Sequence, residues 1–238
     1  MCISCKVLDL SPLYDEHIYE KFLTYLPESG FWKMRREKMK RYYFKDDKIR
    51  SLGASLLLIS VLKEHGLENA DIEINQYGKP FLCNSEMQFN LSHSGNYAVC
   101  SYGCGDNGID IESYKNVDID VAKRFFHQKE YELVKKYGEI MFTRLWTLKE
   151  SYIKADGRGL GLGLNTFQVC PGECEKNFDI PLSSIPAFSM KTYIDSNDKI
   201  NFAEFIINDY HIAVCSNMII DNYLIINDLF QYLSWGRY

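Results

Sequence analysis

Four residues occur twice in this chain, and that repetition constrains the fold more than any other feature. Ala98-Val99-Cys100-Ser101 returns as Ala213-Val214-Cys215-Ser216, each time inside a strand-like pattern. A second echo lies upstream of each. Lys40-Arg41-Tyr42-Tyr43-Phe44 and Lys123-Arg124-Phe125-Phe126-His127 both read as the opening of a helical stretch. Each half then runs from a basic-aromatic helix start through an amphipathic helix to short strands, which predicts duplication of a unit of about 110 residues.

Periodicity fills in the elements. Residues 51–65 carry Leu52, Leu56, Ile59 and Leu62 at helical spacing, with Gly66 as a stop. Residues 142–155 read as a second helix, with Phe142, Leu145, Trp146 and Ile153 inward and Gly157 at its end. Strands are expected at 72–76, 88–92, 96–102 and 108–112, and again at 166–169, 190–194, 201–207 and 211–216. The loop Gly157-Arg158-Gly159-Leu160-Gly161-Leu162-Gly163-Leu164 lacks the strand–turn–helix setting of a nucleotide-binding glycine fingerprint. It reads either as a partner surface or as a connector whose leucines pack inward.

The chemistry concentrates in Gly108-Ile109-Asp110-Ile111-Glu112 and in Trp146-Thr147-Leu148-Lys149-Glu150-Ser151-Tyr152-Ile153-Lys154. Residues two apart on a strand share a face, so Asp110 and Glu112 point one way while Ile109 and Ile111 face the core. Adjacent like charges are costly unless water or a cation neutralises them. Paired carboxylates suit Mg²⁺, with a substrate phosphate completing its shell; the alternative is an acidic rim that binds nothing. Glu150 and Lys154 stand one turn apart and share a helix face.

Composition narrows the functional classes. The 238 residues, 46% hydrophobic, suffice for one large domain or two small ones. A net charge of −5 argues against a general nucleic-acid binder. The lack of a long apolar run argues against a membrane span, and the N-terminal alternation is unlike a secretory signal, so a cytoplasmic protein is expected. Eight cysteines are scattered rather than set as two tight pairs at zinc spacing, and read as structural thiols, Cys100 and Cys215 within apolar strands. Residues 33–50 are strongly basic, which marks a solvated helix face or an anion site.

Four segments in order, Gly78-Lys79-Pro80, Asn90-Leu91-Ser92-His93-Ser94, Gly108 to Glu112 and Trp146 to Lys154, resemble the Sfp-type 4′-phosphopantetheinyl transferases. The resemblance covers nearly the whole chain. It implies an α+β fold, a pseudo-twofold duplication of two similar α/β subdomains with the active site in the cleft between them. On this reading residues 1–112 form the first subdomain, 113–217 the second and 218–238 a C-terminal extension, in a monomer. The implied reaction moves the phosphopantetheine arm of coenzyme A to a serine of an acyl or peptidyl carrier protein, with Mg²⁺, releasing adenosine 3′,5′-bisphosphate.

The resemblance also implies roles. Asp110, Glu112 and Glu150 would hold the metal. Lys154 would meet the phosphate oxygens, with Lys149 as the competing lysine. Glu130 would act as general base, with Glu132 close enough in sequence to be confused with it. Ser92 and His93 would contact coenzyme A phosphate, and Gly78, Lys79 and Pro80 its adenine nucleotide. Arg35 and Lys38 match the cations for the 3′-phosphate, with Arg36 or Lys33 as substitutes for Arg35; Arg50 and Ser51 match nucleotide-facing positions. A metal-dependent nucleotide pyrophosphate hydrolase and a non-catalytic carrier-protein binder are the rival readings.

Overall fold

The computed structural model describes residues 2–115, 117–172, 184–188, 191–195 and 199–234. The first half contains β1 (Ser4–Asp9), α1 (Glu16–Leu23), α2 (Gly30–Arg41), α3 (Lys45–Glu64), β2 (Ile72–Ile74), β3 (Pro80–Leu82), β4 (Met87–Ser94) and β5 (Tyr97–Cys104). The rest contains β6 (Asn107–Ser113), α4 (Asp120–Phe125), α5 (Gln128–Tyr137), α6 (Glu139–Asp156), β7 (Val169–Cys170), β8 (Ser184–Pro186), β9 (Tyr193–Ile194), β10 (Asn201–Ile207), β11 (Tyr210–Ser216) and β12 (Tyr223–Asn227).

The duplication is visible in the strand order. In the first half a strand, β1, precedes the helices, a hairpin β4–β5 follows them, and the sheet runs β4-β5-β1. In the second half β6 precedes the helices, the hairpin is β10–β11, and the sheet runs β10-β11-β6. The repeated Ala-Val-Cys-Ser lies in the second hairpin strand each time, with Cys100 and Cys215 fully buried. Cys174, in one of the close cysteine pairs, and Met190, at the start of an expected strand, lie outside the described residues.

Side-chain alternation stacks the two sheets face to face. Val7, Val99, Ile109, Ile111, Ile212 and Val214 meet in one apolar cluster between the sheets. Residues of opposite parity, such as Leu8, Ala98 and Cys100, pack against α1–α3, while Ala213 and Cys215 pack against α5 and α6. The order of layers is therefore helices, sheet, sheet, helices.

One expectation changes. The second echo does not open helices; it straddles breaks between them. α2 stops at Arg41 and α3 starts at Lys45, while α4 stops at Phe125 and α5 starts at Gln128. At both breaks an aromatic turns inward with extended backbone: Tyr42 packs on the first-half core, and Phe126 stacks on Phe142 at 5.4 Å. β6 pairs with β11, so the second-half sheet takes up the chain from Asn107. The C-terminal stretch returns to the first half: β12 pairs in parallel with β1, and Leu229 and Tyr232 enter its core.

Candidate active site

Gly108 is where the site begins. A Cβ there would collide with the Ser151 carbonyl and the Ala155 amide, so glycine lets α6 lie directly on β6. Glu150 and Lys154 are thereby brought beside Asp110. Lys154 Nζ stands 2.6 Å from Asp110 Oδ1, and also donates to Ser92 Oγ at 3.0 Å and to the Ile109 carbonyl at 3.2 Å. Asp110 is only 4% exposed, so it is not the open carboxylate that strand alternation alone suggests. Its Oδ2 is buried with no hydrogen-bond partner.

The other two carboxylates feel this crowding. Burial and the neighbouring Asp110 charge push the Glu112 carboxyl up to about 6, against the opposing hydrogen bond from Ser94 Oγ at 2.9 Å. Burial, then Asp110, raises Glu150 as well. Among the described residues, no three His, Cys, Asp or Glu side chains are gathered tightly enough to hold a metal ion. The carboxylates are electrostatic neighbours rather than a closed cage. The orphaned Oδ2 and the raised proton affinities fit a hard divalent cation, which commonly takes one or two protein carboxylates and completes its shell with water and phosphate.

β4 supplies the other side by alternation. Its even positions face β6: Asn90 Oδ1 accepts from the Ile109 amide at 3.0 Å, Ser92 Oγ donates to Asp110 Oδ1 at 2.8 Å, and Ser94 Oγ donates to Glu112. Odd-numbered His93 points to the opposite face, toward the start of α3. The ring is open to solvent at the cleft but walled by protein, and lost hydration, then the charges of Arg50, Arg35 and Lys154, lowers its pKa. Arg50 is half-buried and donates to Asp47 Oδ1 at 2.7 Å; Ser51 is buried beside it, and Lys38 is exposed. Arg35 is largely engaged within the fold, its Nε donating to Ser55 Oγ at 2.7 Å and its Nη2 to the Ser51 carbonyl at 3.1 Å. Arg36, a substitute on sequence grounds, donates to the Leu23 and Leu26 carbonyls, whereas Lys33 is exposed.

A recess of about 210 Å³ opens between Gly78, Lys79 and Pro80 on one side and Ile153, Lys154 and Gly157 on the other. Lys79 contributes its stem to this wall, but its ammonium donates to the Asn107 carbonyl at 3.2 Å and the Ala155 carbonyl at 3.1 Å. Burial lowers its pKa.

Glu130 lies away from the cleft. It is fully buried, paired with the equally buried Lys149 at 2.8 Å; its Oε1 accepts from the Val169 amide at 2.7 Å and its Oε2 from the His127 amide at 2.8 Å. Both oxygens are therefore engaged within the fold. Glu132 is exposed and accepts from Gln128. Lys149 also donates to the Leu164 and Phe167 carbonyls, each at 2.8 Å, so it is no rival to Lys154. Leu164 is buried and Leu162 packs on the second-half core, which favours a connector over a partner surface for that end of the loop. Sequence reading gave no role to Ser94 or Asn90 within the motif that contains them. The period-two match of Asn90, Ser92 and Ser94 to residues 108–112 was the available signal, but pairing it required knowing that β4 runs beside β6.

Comparison with known proteins gives the class. The 4′-phosphopantetheinyl transferase superfamily model matches residues 107–215, and the model of the N-terminal region of 4′-phosphopantetheinyl transferases matches residues 20–103. The chain is 36% identical over 184 residues to the 4′-phosphopantetheinyl transferase Sfp of Bacillus subtilis strain 168, covering 73% of this chain and 79% of that one. It is 37% identical over 191 residues to another Bacillus subtilis 4′-phosphopantetheinyl transferase, covering 76% and 80%. With the 4′-phosphopantetheinyl transferase gsp of Aneurinibacillus migulanus it shares 37% over 163 residues, covering 65% and 66%. This chain belongs to the Sfp-type 4′-phosphopantetheinyl transferase family.

Proposed function

We propose that this chain transfers the 4′-phosphopantetheine arm of coenzyme A to a serine of an acyl or peptidyl carrier protein, releasing adenosine 3′,5′-bisphosphate. The observation that carries this reading is the buried Asp110, with one oxygen on Lys154 and the other unpartnered, between two carboxylates of raised proton affinity.

Each residue has a task. Asp110, Glu112 and Glu150 would hold Mg²⁺. Bound there, the ion would neutralise diphosphate charge and make the phosphorus more electrophilic. Lys154 exchanges its Asp110 contact for phosphate oxygens as charge builds on them. Ser92 orients Asp110, and His93, Arg50, Ser51 and Lys38 form the polar wall for the nucleotide phosphates, with Arg35 shaping it through Ser51. Gly78 and Pro80 border the recess for the adenine nucleotide. Glu130 takes the serine proton only if its pairing with Lys149 opens. We place the reaction in the cytoplasm and in a monomer, since one chain supplies both walls of the cleft; among the described residues no helix is long and apolar enough to cross a membrane.

The test is incubation with coenzyme A, Mg²⁺ and an unmodified carrier protein, read by mass spectrometry. A carrier heavier by one phosphopantetheine arm supports transfer. Free phosphopantetheine without carrier modification supports a hydrolase, and no turnover supports a binder.

A further inference from the structure

The turn between β2 and β3 is built more rigidly than a surface connector needs to be. Asn75 Oδ1 accepts from the Tyr77 amide at 2.9 Å and the Lys79 amide at 3.0 Å, the Asn75 amide donates to the Lys79 carbonyl at 2.9 Å, and the Gly78 amide donates to the Asn75 carbonyl at 3.0 Å. These bonds fix the two side chains that leave the turn. Both cross into the second half. Asn75 Nδ2 donates to the Gly157 carbonyl at 3.1 Å, and Lys79 Nζ donates to the Ala155 and Asn107 carbonyls.

The acceptors are specific in kind. An α-helix leaves its last carbonyls without intrahelical donors and carries partial negative charge at that end, so a buried ammonium there satisfies both demands. Ala155 follows Lys154 directly, and Gly157 closes α6 in the left-handed conformation, with φ +81°. Asn107 opens β6, three residues before Asp110. One ammonium therefore touches both elements that bring Lys154 and Asp110 together.

We propose that Asn75 and Lys79 form a latch between the halves, with Lys79 a positioning residue that holds the end of α6 and the start of β6 in the register that places Lys154 against Asp110. This rests on the proposed transfer reaction, and it assigns the Lys79 ammonium to alignment rather than to gripping the nucleotide. Misplacement by about 1 Å at reacting groups can cost about 100-fold in rate, so losing part of the alignment is expected in turnover before binding.

Two variants test it. Lys79→Met removes the ammonium and keeps the stem that lines the recess. Asn75→Asp keeps the acceptor that organises the turn but cannot donate to the Gly157 carbonyl. Both are expected to lower kcat for carrier modification, Lys79→Met by about 10-fold or more, with KM for coenzyme A within about threefold. Both should also speed backbone amide exchange in the last turn of α6, a readout that needs no turnover. The latch is overturned if Lys79→Met raises KM with kcat intact, or if Asn75→Asp matches the wild type in both rate and exchange. If Lys79→Met does not fold, Asn75→Asp decides alone. A wild-type protein that modifies no carrier defeats the functional reading instead, and leaves the latch to be judged by amide exchange.

Discussion

The two halves share a strand order but have been given opposite charges at the cleft. The first contributes the cations Lys38 and Arg50, open or half-open to solvent and held by few bonds, beside a His93 ring whose lowered pKa keeps it neutral. The second contributes Asp110, Glu112 and Glu150, and buries two further carboxylates, Glu130 and Glu204, in closed pairs. Glu130 meets Lys149 with both fully buried, and Glu204 accepts from Arg144 Nε at 2.6 Å and lies 3.1 Å from His211 Nε2. Although burial works against it, hydrogen bonds from Arg144 and His211 bring the Glu204 carboxyl down to about 2. A duplicated scaffold has thus been divided between an adaptable cationic wall and a rigid acidic one. Mobile cations can follow a polyanionic ligand, whereas carboxylates meant to share one ion need fixed spacing.

That contrast can be broken at several points. Asp110→Asn removes the central acid, and we expect transfer to fall by at least about 10³-fold with near-UV circular dichroism unchanged. Comparable rates in the two proteins would leave the acidic wall without a role. Lys149→Met strands a buried Glu130 charge and should cost about 3–5 kcal/mol in denaturant unfolding. Adding Glu130→Gln should recover a substantial part, since no net charge then stays buried. If the folded double variant is as slow as Asp110→Asn, Glu130 belongs to the chemistry and its pair with Lys149 is more than structural.

On the cationic side, Arg50→Ala should raise KM for coenzyme A about 10-fold, more at low salt, while shifting the unfolding midpoint by less than about 2 °C. A large thermal shift would mean that the first half is locked too. The smallest effect is a gain. Glu112 binds its proton more tightly folded than unfolded, so its charge costs stability above about pH 6, and the cost disappears below its unfolded value as pH falls. Glu112→Gln should therefore melt about 3 °C higher at pH 7.5 without divalent metal, with the gain fading at pH 4. Added Mg²⁺ and coenzyme A should narrow the difference by stabilising only the wild type.

Much of this was legible beforehand. The Ala-Val-Cys-Ser echo marked both hairpins because a buried strand needs small and β-branched residues in a fixed rhythm, and Gly-Ile-Asp-Ile-Glu announced its two faces by period two. Helix starts were read less well. Tyr42 and Phe126 continue a helical pattern in sequence, yet each turns inward to fill its core and breaks the helix there. Glu130 reads as a base and Lys149 as a competitor of Lys154, because nothing local reveals that two distant charges will be buried against each other.

The sequence by itself determined the duplication, the alternation that gives β4 and β6 two-faced roles, and the carboxylates and cations available for chemistry, because these follow from short-range periodicity and side-chain type. Only the tertiary structure decided which charges are usable. The close approach of α6 at Gly108, the burial of Asp110, the closure of Glu130 on Lys149 and the diversion of Lys79 to the end of α6 all depend on segments far apart in the chain. Burial and pairing are properties of the assembled neighbourhood, and they set whether a charged group meets solvent, substrate or another charge.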